Sequence, residues 1–157
     1  MKVRVLFTGK TTETWIRQGI AQYADRIGHY VSFSLTELPD IKQVSSLTQA
    51  QIMEREGDLL LKSLRSSDHL VLLDEHGKEF SSLDWARNLE HKAAHLLKDL
   101  VFVVGGPYGF SQAVHDRADE HLSLSRMTCS HQLVRVVFLE QLYRALTIIK
   151  GEPYHHE

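Results

Sequence analysis

Apolar and polar residues alternate from the first positions of the chain, with Val3, Val5 and Phe7 set against Arg4 and Leu6, and this predicts a strand. From about Thr12 the period lengthens, and Trp15, Ile16, Ile20, Tyr23 and Ile27 fall on one stripe of a predicted helix. Val31, Phe33 and Leu35 return to period two against Ser32, Ser34 and Thr36, giving a second strand closed by Pro39 and Asp40. Thr48 with Gln51 has the form of a capping box and opens a helix carrying Ile52, Leu60, Leu61 and Leu64. Residues 70–74 read as a short apolar strand ending in Asp74, with Glu75-His76-Gly77-Lys78 as its turn. A third helix starts near Ser82 and uses Leu83, Ala86, Leu89, Ala93 and Leu96. An unbroken apolar strand over residues 100–104 follows, then a short helix capped by Ser111, a brief strand over 121–125, and a last helix over about 132–149. Strand and helix alternate along the whole chain. That predicts an α/β fold with a mostly parallel, five- to six-stranded sheet, helices on both faces and right-handed crossovers.

The last helix carries more apolar surface than one core contact needs. Val134, Phe138, Leu142, Ala145 and Ile149 make a wide stripe, while Leu133, Val137, Tyr143 and Ile148 lie on other sides of the same wheel. A helix apolar around most of its circumference is covered on more than one side. A second copy of the chain is the economical cover, so a two-fold homodimer through this helix is expected. Glu140 and Arg144 stand at i, i+4 in the favourable order.

Composition narrows the picture. The chain has 157 residues, 43% of them hydrophobic, enough for one domain over residues 1–157 with a real core. No apolar run approaches membrane-spanning length and the start enters a strand at once, so neither a membrane segment nor a signal peptide is expected. A lone cysteine, Cys129, excludes an internal disulfide framework and suits a reducing cytoplasm. A formal net charge of -2 argues against a general nucleic-acid binder.

Chemistry concentrates late in the chain. The strand over 100–104 empties into Gly105-Gly106-Pro107-Tyr108-Gly109. Glycines let backbone groups approach a ligand without an intervening Cβ, and the proline stiffens the loop. Ser125-Arg126-Met127-Thr128-Cys129-Ser130-His131, ahead of the last helix, is a loop of mainly small or hydroxylated residues whose backbone can pair with a planar heterocycle. Beyond the helix, Gly151 gives way to Pro153-Tyr154-His155-His156. Other motifs are decoys. Gly9-Lys10-Thr11 resembles the end of a P-loop, but the first glycine position holds Arg4. His91 and His95 are spaced like zinc ligands, yet residue 92 is lysine and no third ligand is evident, so no metal is expected. The glycine loop is not G-x-G-x-x-G and follows a late strand, which argues against a dinucleotide-dependent oxidoreductase.

Taken together, the glycine loop, Ser123-Leu124-Ser125, His131-Gln132-Leu133-Val134-Arg135, Glu140-Gln141-Leu142-Tyr143-Arg144-Ala145 and Pro153-Tyr154-His155-His156 resemble the RlmH family of small SPOUT-class methyltransferases. The resemblance spans the whole chain, and its last third carries the specific motifs. It implies a C-terminal trefoil knot, a homodimer, and S-adenosylmethionine as cofactor. It also implies methylation at N3 of a pseudouridine in a hairpin of 23S rRNA within the assembled ribosome. Carried over by position, Leu73, Gly106, Ser125, Arg126, Met127, Thr128, Cys129 and Ser130 would line the cofactor pocket. Ser130 departs from the family, many members of which have proline there.

For such a transfer the protein must align donor and acceptor and exclude water, and N3 must lose a proton. His131, Arg144, Tyr154 and His155 are the candidate catalytic residues: imidazoles to take the proton, a guanidinium to steady charge on the flanking carbonyls, a phenol to position or stack on the base. Arg126, Arg135 and Arg144 are the local cations expected near the pocket. The acidic balance implies that the shape of an assembled particle, rather than phosphate charge alone, provides recognition. Two other readings remain: a non-catalytic dimeric nucleotide-binding α/β module, and a methyltransferase for another RNA base.

Overall fold

The computed structural model describes residues 1–156. Five strands form one sheet: β1 (Lys2–Phe7), β2 (Ser32–Glu37), β3 (His69–Lys78), β4 (Leu100–Val104) and β5 (Glu120–Leu122). Their order is β2-β1-β4-β3-β5 and every pairing is parallel. The helices are α1 (Thr14–Gly28), α2 (Gln49–Ser63), α3 (Ser82–His95), α4 (Gln112–Arg117) and α5 (Leu133–Ile149), with a 3₁₀ turn at Val44–Ser46.

β4, the middle strand, is apolar and buried at every position because both faces of the sheet are covered. Val3, Val5, Phe7, Val71, Leu100, Phe102 and Val104 point to one side, into a core completed by α1, α3 and α5. Leu6, Leu70, Leu72, Val101 and Val103 point to the other, where Leu60 of α2 and Val114 of α4 meet them. The capping box of α2 is present: the Thr48 hydroxyl accepts the Gln51 N–H at 3.1 Å, and Gln51 Oε1 accepts the Thr48 N–H at 2.9 Å.

Several expectations are corrected. Residues 75–78 are not a turn but the extended end of β3, since after an irregularity Lys78 pairs again with Leu122. Glycine is required at 77, where a Cβ would lie 2.6 Å from the backbone of His121. β5 stops at Leu122, three residues short of the expected end. Trp15 is 57% exposed, its indole donating to the Glu13 carboxylate, and does not join the α1 core stripe. On α3, Ala93 is exposed, while Trp85 packs against Phe102 and Phe138 in the core.

Arg135, expected near a ligand pocket, is fully buried instead. Its guanidinium donates to the Thr8 carbonyl (2.9 Å) and Thr11 Oγ1 (2.8 Å), meets Glu37 Oε2 at 3.3 Å, and lies over the Phe7 ring. It binds the start of α5 to the end of β1 and has no access to RNA.

A backbone-lined cleft and a C-terminal charge cluster

In a parallel sheet, ligands are received at the carboxyl ends of the strands. Here the ends of β3, β4 and β5 open into a cleft of about 780 Å³, a volume suited to a nucleotide-sized molecule. Leu73, Val104 and Leu122 form its floor, Val134 and Val137 of α5 one side, and the 105–110 and 124–131 loops its rim.

The glycine loop is built for close approach. Gly109 has φ +81° and closes the turn by donating to the Gly106 carbonyl at 3.2 Å. A Cβ at Gly106 would stand 2.8 Å from Glu56 Oε2, and one at Gly105 2.9 Å from the Phe110 ring. Glu56 therefore backs the loop from α2. Burial, with Asp40 adding to it, raises the Glu56 carboxyl above its usual range. Sequence reasoning passed over Glu56; its signal was an acid on the inward side of an amphipathic helix.

The second loop presents backbone to the cleft. Ser125 Oγ accepts the Met127 N–H at 3.0 Å, and Ser123 Oγ donates to the Ser125 carbonyl at 3.2 Å. Ser125, Met127, Thr128, Cys129 and Ser130 all line the cleft. Arg126 is directed away from it, its side chain 88% exposed and its Nε 3.7 Å from Glu79. Ser130, the departure from proline, has a use in this chain: its hydroxyl accepts the Leu133 N–H at 3.0 Å, capping the start of α5. His131 closes this side of the cleft. Burial, with the Arg135 charge behind it, lowers its pKa below the ordinary imidazole range, so the ring is neutral at pH 7.

The other three candidates assemble elsewhere. Arg144 donates to Glu140 Oε1 through Nε (3.1 Å) and Nη2 (2.6 Å), and Nη1 reaches His155 Nδ1 at 3.0 Å. The Tyr154 hydroxyl donates to the same Glu140 oxygen at 2.9 Å, and the guanidinium lies over the phenol ring. Burial and the bond to Glu140 raise the Tyr154 pKa, keeping the phenol protonated. The bond to Glu140 also raises the pKa of Arg144. Glu140, read from sequence as the i, i+4 partner of Arg144, is the hub that orients both. Seven residues separate Val137 in the cleft from Arg144, about 10 Å along the helix. Within one subunit the cluster is thus displaced from the cleft that holds His131.

Comparisons with known proteins agree with this architecture. The family described as "Predicted SPOUT methyltransferase" matches residues 1–155. Ribosomal RNA large subunit methyltransferase H of Parabacteroides distasonis is 52% identical over 157 residues, covering 100% of both chains. The protein of the same name from Bacteroides fragilis is 48% identical, again over 100% of each. In three dimensions, the crystal structure of a probable methyltransferase from Bordetella pertussis Tohama I superposes with a TM-score of 0.56 at 12% identity, covering 92% of this chain and 94% of that one, which speaks to the fold. The chain therefore belongs to the SPOUT methyltransferases and, within them, to the family of its ribosomal RNA large subunit methyltransferase H relatives.

Proposed function

We infer that the protein uses S-adenosylmethionine to methylate N3 of a pseudouridine in 23S rRNA of the assembled ribosome. The observation that carries this reading is full-length identity of about half to proteins named for large-subunit rRNA methylation, in a chain whose strand ends form a nucleotide-sized cleft rimmed by backbone.

The cleft fits the cofactor. Its rim offers backbone groups to an adenine, its floor is apolar, and the glycines at 105 and 106 let the loop settle against Phe110 and Glu56. Leu73, Gly106, Ser125, Met127, Thr128, Cys129 and Ser130 would hold the cofactor, and Arg126 is withdrawn from the set. Bound there, S-adenosylmethionine supplies a methyl group activated by its sulfonium. Apolar walls at Val134 and Val137 keep water from the reacting atoms. Methylation at N3 requires a group that accepts the N3 proton. His131 lines the cleft beside Val134 and Val137 and is kept neutral, so among the imidazoles there it is the group we assign to that proton. Tyr154, held protonated, acts as a donor or a stacking surface for the base, and Arg144, permanently charged, steadies negative charge on the flanking carbonyls. His155 lends Nδ1 to Arg144 and is placed by it.

Cleft and cluster come together only if a second subunit contributes one of them. The half-exposed face of α5 runs through Leu133, Val137, Glu140, Gln141, Arg144 and Ile148, beside both sites. A homodimer across this face places the cluster of one subunit against the cleft of its twin. The same reading carries a single domain over the whole chain and a C-terminal trefoil knot. The knot is in keeping with the path of the chain, which visits the α2/α4 face after β4 and returns as α5 to the α1/α3 face. With no surplus of positive charge, recognition rests on the shape of the particle.

Calorimetric titration with S-adenosylmethionine tests the cofactor assignment. One molecule per subunit is expected, with affinity about tenfold weaker in Gly106→Ala, whose Cβ must displace Glu56. Absence of heat, with binding of a different nucleotide, would instead indicate a non-catalytic module.

A further inference from the structure

Three side chains that the methyl-transfer reading leaves unused meet beside the cleft, and two of them, Asp74 and His115, line it. Asp74 lies on β3, His115 on α4 and His121 on β5. One ligand atom from each, a carboxylate oxygen and two imidazole nitrogens, lies within 4.8 Å of the others. His115 Nδ1 faces His121 Nε2 at 3.0 Å, with the two rings only 16° from parallel. Two imidazole nitrogens so placed share either a hydrogen or a metal ion, since each neutral ring has one bare lone pair.

The geometry points to a binding site for a divalent late transition-metal ion of the zinc class, held by Asp74, His115 and His121. Imidazole donors select such ions over magnesium and calcium, which take oxygen ligands. Bonds of about 2.0–2.1 Å in a tetrahedral site place donors roughly 3.3 Å apart. The histidine pair is close to that spacing already, and rotation of the half-exposed Asp74 carboxylate completes the set. The ligands are themselves oriented: Asp74 Oδ1 accepts the His76 N–H at 3.0 Å, and the Phe110 ring meets His115 edge-on. Three protein ligands leave a coordination position open, and because Asp74 and His115 line the cleft that position faces it. An ion there would tie together β3, α4 and β5. The site does not depend on methyl transfer, and the trio is hidden in the sequence because its members are 41 and 6 residues apart.

Zinc chloride titrated into the full-length, tag-free protein, followed by calorimetry and by anomalous diffraction at the zinc edge, tests the site. One ion per subunit between Asp74, His115 and His121 is expected. His115→Gln and His121→Gln should each weaken binding by roughly tenfold or more, with circular dichroism unchanged. Cobalt should bind with visible absorption bands of nitrogen–oxygen coordination that both variants lose, and magnesium should not compete. His91→Gln, on an exposed α3 pair whose His95 Nδ1 is engaged by the His91 carbonyl at 2.9 Å, should bind zinc as the parent does. Zinc affinity unaltered by the His115 and His121 substitutions, or anomalous density at other histidines, would overturn the proposal.

Discussion

At the scale of single residues, position rather than type decides what a side chain does. Arg135 and Arg144 are nine residues apart on one helix, yet one is sealed in the core and the other faces the chain's C-terminal segment. Replacing Arg135 by methionine removes the donor to the Thr8 carbonyl and leaves the Glu37 carboxylate held by Thr11 alone, so urea denaturation should show a loss of about 2 kcal/mol. A loss within error of zero would mean that the pair is not structural. His131 makes a prediction of opposite character. Its folded pKa lies below the unfolded value of 6.5, so the unfolded chain takes up a proton that the folded chain refuses as pH falls below that value. Stability should therefore decline on acidification through this range, and His131→Asn should decline less between pH 7 and pH 5. Equal slopes for parent and variant would show that the ring is not held neutral. None of this was legible in the sequence, because burial of a polar side chain depends on which elements close over it. The Ser130 cap was equally hidden: a serine before a helix is an ordinary signal, but its bond to Leu133 required the loop geometry.

Elements were far more readable. Every expected helix is present, the Thr48–Gln51 cap included, because periodicity and capping are local and the sheet only selects among them. Besides the early end of β5, the misreading fell at residues 75–78, where Glu-His-Gly-Lys has turn chemistry but the partner strand draws it into an extended path. Long-range pairing overrode local preference there, and the glycine serves close approach to His121 rather than a bend. Helix α5 carries the prediction at this scale. Its buried face is filled by Phe138, Leu139, Leu142, Ala145 and Leu146, while Leu133, Val137 and Ile148 remain half-exposed. Val137→Asp should halve the mass measured by light scattering from that of two chains to that of one, and should abolish methyl transfer along with it. A parent protein that is already monomeric, or a variant that stays dimeric, would contradict the assigned interface.

For the whole molecule, the division of the candidate site is the informative result. The sequence reading grouped His131, Arg144, Tyr154 and His155 as one constellation, and the structure joins the last three through Glu140 while leaving His131 at the cleft. In the proposed homodimer a second subunit completes the site, and no single-chain sequence pattern encodes that. The family was legible because the glycine loop, the α5 motif and the Pro-Tyr-His-His tail are contiguous and specific. The net charge of -2 was legible too, and it is the reason the proposal rests recognition on the shape of the particle. The most direct measurement is to incubate the protein and radiolabelled S-adenosylmethionine with ribosomes lacking the modification, and in parallel with protein-free 23S rRNA, and to identify the labelled nucleoside by mass spectrometry. The account predicts N3-methylated pseudouridine in the ribosome sample and little or none in the free RNA. Label on a different base, or equal labelling of ribosomes and free RNA, would contradict it.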